Sequence, residues 1–247
     1  MPLELQQRDV NLMRFVYAHR AVSYSQIWRK FFSDRVKSTI SERLKRLRKE
    51  GYLRSAMMPI KGDYAERYFM PSEKAFQFVR HHWDFEIDKP LYKSESIAHD
   101  LQLVDLALRM EKLTQFKKLL PENLLQSSSA LIQDTFLGDL VRIQSDGALY
   151  ATGTDGLGYL FALELELSTK NVERYRSKLS SYYLVRGIRG VLYVCADQTI
   201  ISLLLKADEE VRKDRNSILH FVSLTDALKD SDRIIFRNAK SGGIDLE

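Results

Sequence analysis

The segment FALELELSTK, residues 161–170, limits what this chain can fold into more than any other stretch. Side chains of a strand alternate between its two faces. Phe161, Leu163, Leu165 and Leu167 therefore point one way, and Ala162, Glu164, Glu166 and Ser168 the other. Two carboxylates on one face repel each other unless water screens them or a cation lies between them. The strand belongs either at the wet face of a sheet or at an ion site.

The surrounding pattern bears on that choice. From Ser96, SIAHDLQLVDLALRMEKL reads as a helix, with Ile97, Leu101, Val104 and Leu108 on one stripe. An irregular stretch around Pro121 and Ser127–Ser129 follows. LVRIQSDGALY reads as a strand whose even-numbered face carries Arg142, Gln144 and Asp146, and ATGTDGLG as a turn into YLFALELEL. A helix from about Asn171 to Val185 comes next. The strand GVLYVCA, the helix QTIISLLLKADEEVR, the strand ILHFVSL, the short helix TDAL and a last strand RIIFRN complete the chain. Helices alternating with apolar strands indicate an α/β sheet layered with helices. Strands of such a sheet tend to be covered on both faces, which makes a wet face less expected for Glu164 and Glu166.

The tight turn would bring Asp146 alongside the two glutamates. Three carboxylates from adjacent strands make the oxygen-rich set that Mg²⁺ or Mn²⁺ prefers. Such an ion can bind a phosphodiester oxygen and help to deprotonate a nucleophile. Taken alone, an E-x-E in a strand is also what a solvated sheet face looks like.

The N-terminal third has a different layout. Gln7 to Ala18 reads as a helix with Val10, Leu12, Met13, Phe15 and Val16 on its apolar side. Ser23 or Ser25 can cap a short helix containing Ile27, Trp28 and Phe31. VKSTISERLKRLRKEG makes a third helix, with Ile40, Leu44 and Leu47 at helical spacing and Gly51 as its C-terminal cap. Two short β segments, YLRSAMMPI and YAERYFM, flank Lys61-Gly62-Asp63 as a hairpin, and a helix runs from Ser72 to about His81. Three helices and a hairpin are the order of a winged helix-turn-helix. Residues 83–95, WDFEIDKPLYKSE, have no clear period and read as a linker. The expected division is thus 1–82, a DNA-binding winged helix; 83–95, a linker; and 96–247, the α/β domain.

Charge supports the first assignment. The whole chain carries a net +5. Between Arg29 and Arg54 there are ten Lys or Arg (29, 30, 35, 37, 43, 45, 46, 48, 49, 54) against three acids (34, 42, 50), a local excess of seven. A basic patch of this kind is the footprint of polyanion binding or, more plainly, a solvated helix face. On the third helix, Ser38, Thr39, Ser41, Glu42, Lys45 and Arg46 are expected on the exposed side, the short hydroxyls and Arg46 as base readers, with Lys37, Arg43, Arg48 and Lys49 as candidate phosphate contacts.

No apolar run approaches membrane-spanning length, and MPLELQQRDV lacks the order of a signal peptide. Cys195, the single cysteine, reads as a buried strand residue. These features point to a cytoplasmic protein with no membrane insertion and no cysteine-based zinc site.

SDG, then ELE about one strand later, then STK and a helix ending in SSYY, resembles the PD-(D/E)XK nuclease superfamily. More closely, the chain resembles the MOBC class of conjugative plasmid relaxases and the related replication-relaxation group. That resemblance covers most of the chain and is strongest at residues 36–54, 97–108 and 142–183. It implies a winged helix followed by a restriction-endonuclease-like α/β domain. It implies Asp146, Glu164 and Glu166 as ligands of Mg²⁺ or Mn²⁺, and site- and strand-specific nicking of double-stranded DNA at a plasmid transfer origin. A coupling protein or accessory mobilisation protein would be the partner. Two positions depart from the superfamily pattern: Ser145 stands where a proline precedes the Asp, and Glu166 where a lysine is expected. Lys170 or Lys178, from the following helix, could supply the missing charge. Lys178 and Tyr182, at i and i+4, share one helix face. Tyr182 is a possible nucleophile or support, and His99, early in the helix that often lines such sites, a possible phosphate or proton ligand. The alternative is a plasmid replication or transcription regulator whose nuclease-like domain has lost catalysis.

Overall fold

A computed structural model describes residues 3–59, 65–92, 94, 96–238 and 243–247. The expected turn at Lys61-Gly62-Asp63 lies outside these residues. The chain divides into two compact units, Met1–Asp105 with Gln126–Ala130, and Leu106–Leu125 with Leu131–Glu247.

The first unit begins with α1 (Gln7–His19), β1 (Val22–Ser23), α2 (Tyr24–Phe31) and α3 (Lys37–Lys49). It continues with β2 (Leu53–Pro59), β3 (Ala65–Pro71) and α4 (Glu73–Val79). The strands form an antiparallel sheet in the order β1-β3-β2. The boundaries follow from side-chain chemistry. Ser23 closes a capping box, its hydroxyl accepting the Gln26 N–H at 3.2 Å while the Gln26 side chain accepts the Ser23 N–H at 2.9 Å. Ser72 caps α4 through the Ala75 N–H. On α3, Ile40, Leu44 and Leu47 are buried, and Lys45 and Arg46 between them turn outward while Arg43 does not.

The end of α3 depends on one glycine. Gly51, at φ +78°, lets its N–H reach the Arg48 carbonyl (3.0 Å) and the Tyr52 N–H reach that of Leu47 (2.9 Å). This is the paired closure that a left-handed residue makes possible. A Cβ at Gly51 would meet nothing within 4 Å, so the penalty of a side chain is purely conformational. Gly51→Ala is expected to destabilise the protein by about 1 kcal/mol. Urea denaturation should show a lower midpoint with an unchanged slope.

Residues 83–92 carry no helix or strand, yet they are fastened down. The Asp88 and Lys89 N–H groups donate to the Ser127 carbonyl, Tyr17 donates to the Pro90 carbonyl, and Ile87 is buried. The division between the units falls inside α5 (Ile97–Met110).

The second unit is a mixed α/β layer structure. Its sheet has five strands: β4 (Phe116–Pro121), β5 (Gly147–Thr152), β6 (Gly158–Glu166), β7 (Gly190–Cys195) and β8 (Leu219–Ser223), in that order. β4, β5 and β6 pair antiparallel, and β6, β7 and β8 pair parallel. Along the chain three short helices, α6 (Glu122–Gln126), α7 (Ser129–Gln133) and α8 (Gly138–Ile143), come between β4 and β5, with Gln126–Ala130 counted in the first unit. α9 (Val172–Tyr182) and α10 (Gln198–Arg212) make the parallel crossovers, as expected of a parallel ladder. They pack on each other, tied by the Tyr183 hydroxyl on Asp208 at 2.7 Å. α11 (Leu224–Ala227) follows β8, and β9 (Ile234–Phe236) pairs with β10 (Ile244–Leu246).

Three details differ from the sequence reading. Residues 140–150 are not one strand: α8 occupies the first part, Gln144 turns left-handed at φ 57°, and the strand starts at Gly147. Leu137, Leu140 and Val141 bury at helical spacing, while Arg142 pairs with Asp139 at 2.5 Å. The even-numbered Arg142-Gln144-Asp146 face therefore does not exist. The irregular stretch before it contains an edge strand, β4, whose two exposed lysines, Lys117 and Lys118, break its apolar pattern. Such lysines suit an edge that must not pair further. The last apolar segment, RIIFRN, forms a separate two-stranded ribbon with β10.

Among the described residues no helix is long and apolar enough to cross a membrane.

Candidate functional site

The second unit gathers acids and bases on one face of β6. Gly147 pairs with Leu163, which sets Asp146 beside the start of the E-x-E. Ser145, fully buried, shares its one hydroxyl proton between the carbonyls of Gly147 (3.0 Å) and Leu163 (3.1 Å) and so pins that corner to β6. The Asp146 carboxylate accepts the Leu165 N–H at 2.7 Å, and its carbonyl accepts the Glu122 N–H at 2.8 Å. The residue that replaces the expected proline thus fixes the corner by a hydroxyl proton shared between two carbonyls.

Glu164 is 1% exposed and Glu166 9%. The face that carries them is covered by α9, so the wet-face reading fails. The charge beside Glu164 comes from the chain itself: Lys178 Nζ lies 2.5 Å from one carboxylate oxygen, and the Tyr182 hydroxyl donates to the other. Both residues project from one face of α9, whose start is fixed by Asn171 capping the Arg174 N–H at 2.8 Å. Lys170 lies 4.0 Å from Glu166 and also donates to Ser168 at 3.4 Å. On β7, Tyr193 pairs with Glu164 and Cys195 with Glu166, so both point to the same face.

The electrostatics follow from this crowding. Burial pushes the Glu164 carboxyl up to about 7, and Asp146 adds to the effect against the pull of Lys178 and Tyr182. Burial likewise raises Glu166, with Lys170 and Lys178 opposing. For Lys178, burial favours the neutral form, but Glu164, Asp146 and Glu166 outweigh it and hold the ammonium above the ordinary lysine range. It stays charged at neutral pH and balances the cluster. Burial takes Tyr182 and Tyr193 well above the usual phenol value and the free, buried Cys195 up to about 12. None of these three ionises near neutrality, and Tyr182, fully buried against Glu164, is shaped to support that carboxylate.

The arrangement therefore brings together Asp146, Glu164, Glu166, Lys170, Lys178 and Tyr182. His99 is half-buried on α5 and belongs to the first unit. As they stand, among the described residues no three His, Cys, Asp or Glu side chains are grouped to hold a metal ion. Both Glu164 oxygens are occupied by Lys178 and Tyr182 instead.

In the first unit, Lys37, Ser38, Thr39, Ser41, Lys45, Arg46, Arg48 and Lys49 are exposed on α3. Some of them have local partners: Ser41 donates to the Lys37 carbonyl at 3.0 Å, Lys37 lies over the Trp28 ring, and Lys45 stands 3.9 Å from Glu42. Arg43 is used differently. Its guanidinium forms two hydrogen bonds to the buried Asp9 and one to the Glu4 carbonyl. Its charge is spent inside the unit rather than offered to a ligand.

Sequence reasoning marked Ser145 only as a lost proline, and missed Tyr193 and Asp9. Tyr193 had a signal, since GVLYVCA is the strand next after the acidic one and its odd-numbered residues share a face with Glu164. Asp9 had none, because its partner lies on another helix. Compared with protein-family models, with curated proteins and with solved structures, the chain matches none.

Proposed function

We propose that this protein is a metal-dependent DNA nickase of the plasmid relaxase type. The reading is carried by one observation: Asp146 from the corner before β5, Glu164 and Glu166 from β6, Lys170 from the loop after it and Lys178 from α9 come together, with Glu164 and Glu166 buried under α9. Buried like charges are costly, and a fold retains them where chemistry uses them. The donor set is all oxygen, which fits Mg²⁺ or Mn²⁺: Asp146, Glu164 and Glu166 would hold the ion, with Lys178 yielding Glu164 oxygen to it. When bound, the ion supplies a Lewis acid for a phosphodiester oxygen and an acidified water. The protein's own groups do the rest. Lys170, at the mouth of the cluster, offsets charge growing on the phosphate. Tyr182 and the Leu165 N–H orient Glu164 and Asp146. Hydrolysis breaks one P–O bond, with water supplying the new oxygen and a proton passing to the leaving alkoxide.

In the same reading the first unit acts as a winged helix. The exposed Lys45, Arg46, Arg48 and Lys49 of α3 meet a duplex at a plasmid origin, with Ser38 and Thr39 near the base edges. A cytoplasmic setting and a coupling or mobilisation protein as partner complete the proposal.

A second reading is favoured by a specific feature. Glu164 is already saturated by Lys178 and Tyr182, as in a site that has settled into a permanent ion pair. The protein would then be a plasmid replication or transcription regulator with a non-catalytic nuclease-like domain.

Supercoiled plasmid carrying the protein's own origin separates the two. With Mg²⁺ or Mn²⁺, wild type is expected to give open circles, and Glu164→Ala at least about 100-fold fewer, since even groups that only support a metal ligand are worth 10–100-fold. Specific DNA binding without any nicking would reject the enzyme and leave the regulator.

A further inference from the structure

Away from the acid cluster, the second unit has a cleft of about 390 Å³ between the start of α10, the end of β8 and β9. It opens where a ladder stops. Phe221 of β8 and Arg237 exchange both backbone hydrogen bonds, at 2.9 and 2.8 Å, as an isolated antiparallel bridge. In a continuing ladder the next such pair would be Ser223 with Ile235, two residues along each strand. The bridge is isolated, so that pair is not formed, and β9 pairs with β10 instead. Backbone groups alternate sides along a strand, so the Ile235 N–H and carbonyl point away from β10 and toward the cleft. The buried Ile201, Val222 and Ile234 supply its apolar wall, and the exposed Ile235 stands at its mouth. The charges that line it are balanced except at one point. Asp226 accepts from Lys229 and from the Ser223 hydroxyl at 2.7 Å, and Arg233 lies 3.6 Å from Asp245. Among the described residues the Arg237 guanidinium has no hydrogen bond or ion pair, although its charge is felt by Asp226.

We infer that this cleft binds a small organic anion, its apolar body against Ile201, Val222, Ile234 and Ile235 and its head between the Arg237 guanidinium and the Ile235 N–H. Size, place and chemistry agree. Small-molecule sites are typically clefts of about 300–1,000 Å³, mostly apolar, with a few placed polar groups. The cleft lies beyond the carboxyl ends of β7 and β8, at Cys195 and Ser223, the end of a parallel sheet where ligands gather. A guanidinium and a backbone N–H both donate, which suits a carboxylate and a phosphate monoester alike. A cation finds no such partner, because the Asp226 carboxylate is already bonded. An apolar body also takes Ile235 out of water. The inference uses no residue of the acid cluster and goes beyond the nuclease reading.

The test is fluorescence titration of the full chain with anilinonaphthalene sulfonate, an anion with a flat apolar body. Wild type is expected to show a saturable rise with one dye per chain. Arg237→Gln should weaken binding about tenfold, the scale of a lost hydrogen bond to a charged group. Ile235→Gln should weaken it about fivefold through lost apolar contact. Lys206→Gln, on α10 outside the lining, should bind as wild type does. All three positions are exposed, so the melting temperatures should match that of wild type. Octanoate or adenosine monophosphate is then expected to displace the dye, whereas octanol and adenosine do not. Which anion displaces it tells a carboxylate site from a phosphate ester site. Four results would each overturn the assignment: no saturable binding, wild-type affinity in Arg237→Gln, displacement by octanol or adenosine as well as by their anions, or displacement by neither anion. Plasmid nicking, present or absent, leaves all four readouts unchanged.

Discussion

Lys178→Met is expected to destabilise the folded protein by about 3 kcal/mol at pH 8 and by much less at pH 5.5. Removing one partner of a buried ion pair typically costs about 3–5 kcal/mol, because the other charge is left without compensation. Lys178 is 26% exposed in its side chain, which argues for the low end. The pH dependence follows from Glu164. Its folded carboxyl is raised from 4.5 to about 7, above its unfolded value. The folded state therefore holds this proton more tightly, and the group's contribution to stability falls as pH rises through that window. Below it, Glu164 is neutral and hardly needs the lysine. Above it, the charge must be balanced, and in the variant nothing adjacent does so. Urea denaturation of wild type and variant at the two pH values reads the difference directly. An equal loss at both would show that Lys178 acts by packing its methylenes, not by its charge. Glu164→Gln combined with Lys178→Met should recover most of the loss, as expected when a coupled pair is removed together.

Arg43→Ala is expected to cost a similar amount, about 3 kcal/mol, in the first unit. Asp9 is 1% exposed, and its carboxylate also accepts the capping contact from the Gln6 N–H at 2.7 Å. Without the guanidinium it is a nearly isolated buried carboxylate between α1 and α3. Arg43→Lys should recover only part, since an ammonium cannot reproduce the two-pronged contact. A double-mutant cycle with Asp9→Asn measures the coupling. A coupling energy near zero would mean that Arg43 serves mainly as a surface charge and would return it to the group of phosphate contacts.

Much of the architecture could be read in advance, for reasons particular to each element. α1, α3, α9 and α10 follow strong apolar periods, and Ser23, Ser72 and Asn171 mark helix starts by local bonds that a sequence spells out. The nearness of Asp146 to the E-x-E was legible from the turn between the two strands, although the alternating 142-144-146 face on which Asp146 was expected is absent. What failed was whatever depends on distant partners. α8 reads as strand because Ala148 to Tyr150 extend its apolar run and the left-handed break at Gln144 has no glycine to announce it. β4 is hidden by its edge lysines. The cation expected between the glutamates has a rival in Lys178, fourteen positions downstream of Glu164 and on a helix. Spacing alone can place Lys178 and Tyr182 on one face of α9, but only packing says that this face meets β6.

The position of β6 has a consequence for durability. It is paired along both edges, antiparallel on one side and parallel on the other. Such central strands open last in native-state exchange, whereas loop-borne residues wander with every local fluctuation. The antiparallel ladder ends at Leu163, so Glu164 and Glu166 are held by β7 along one edge and, on the other, by the Leu165 N–H donating to the Asp146 carboxylate. Drawing Asp146 away from the glutamates means breaking the side-chain bonds that tie its corner to Leu163 and Leu165, and moving the glutamates themselves means opening the parallel β6–β7 ladder.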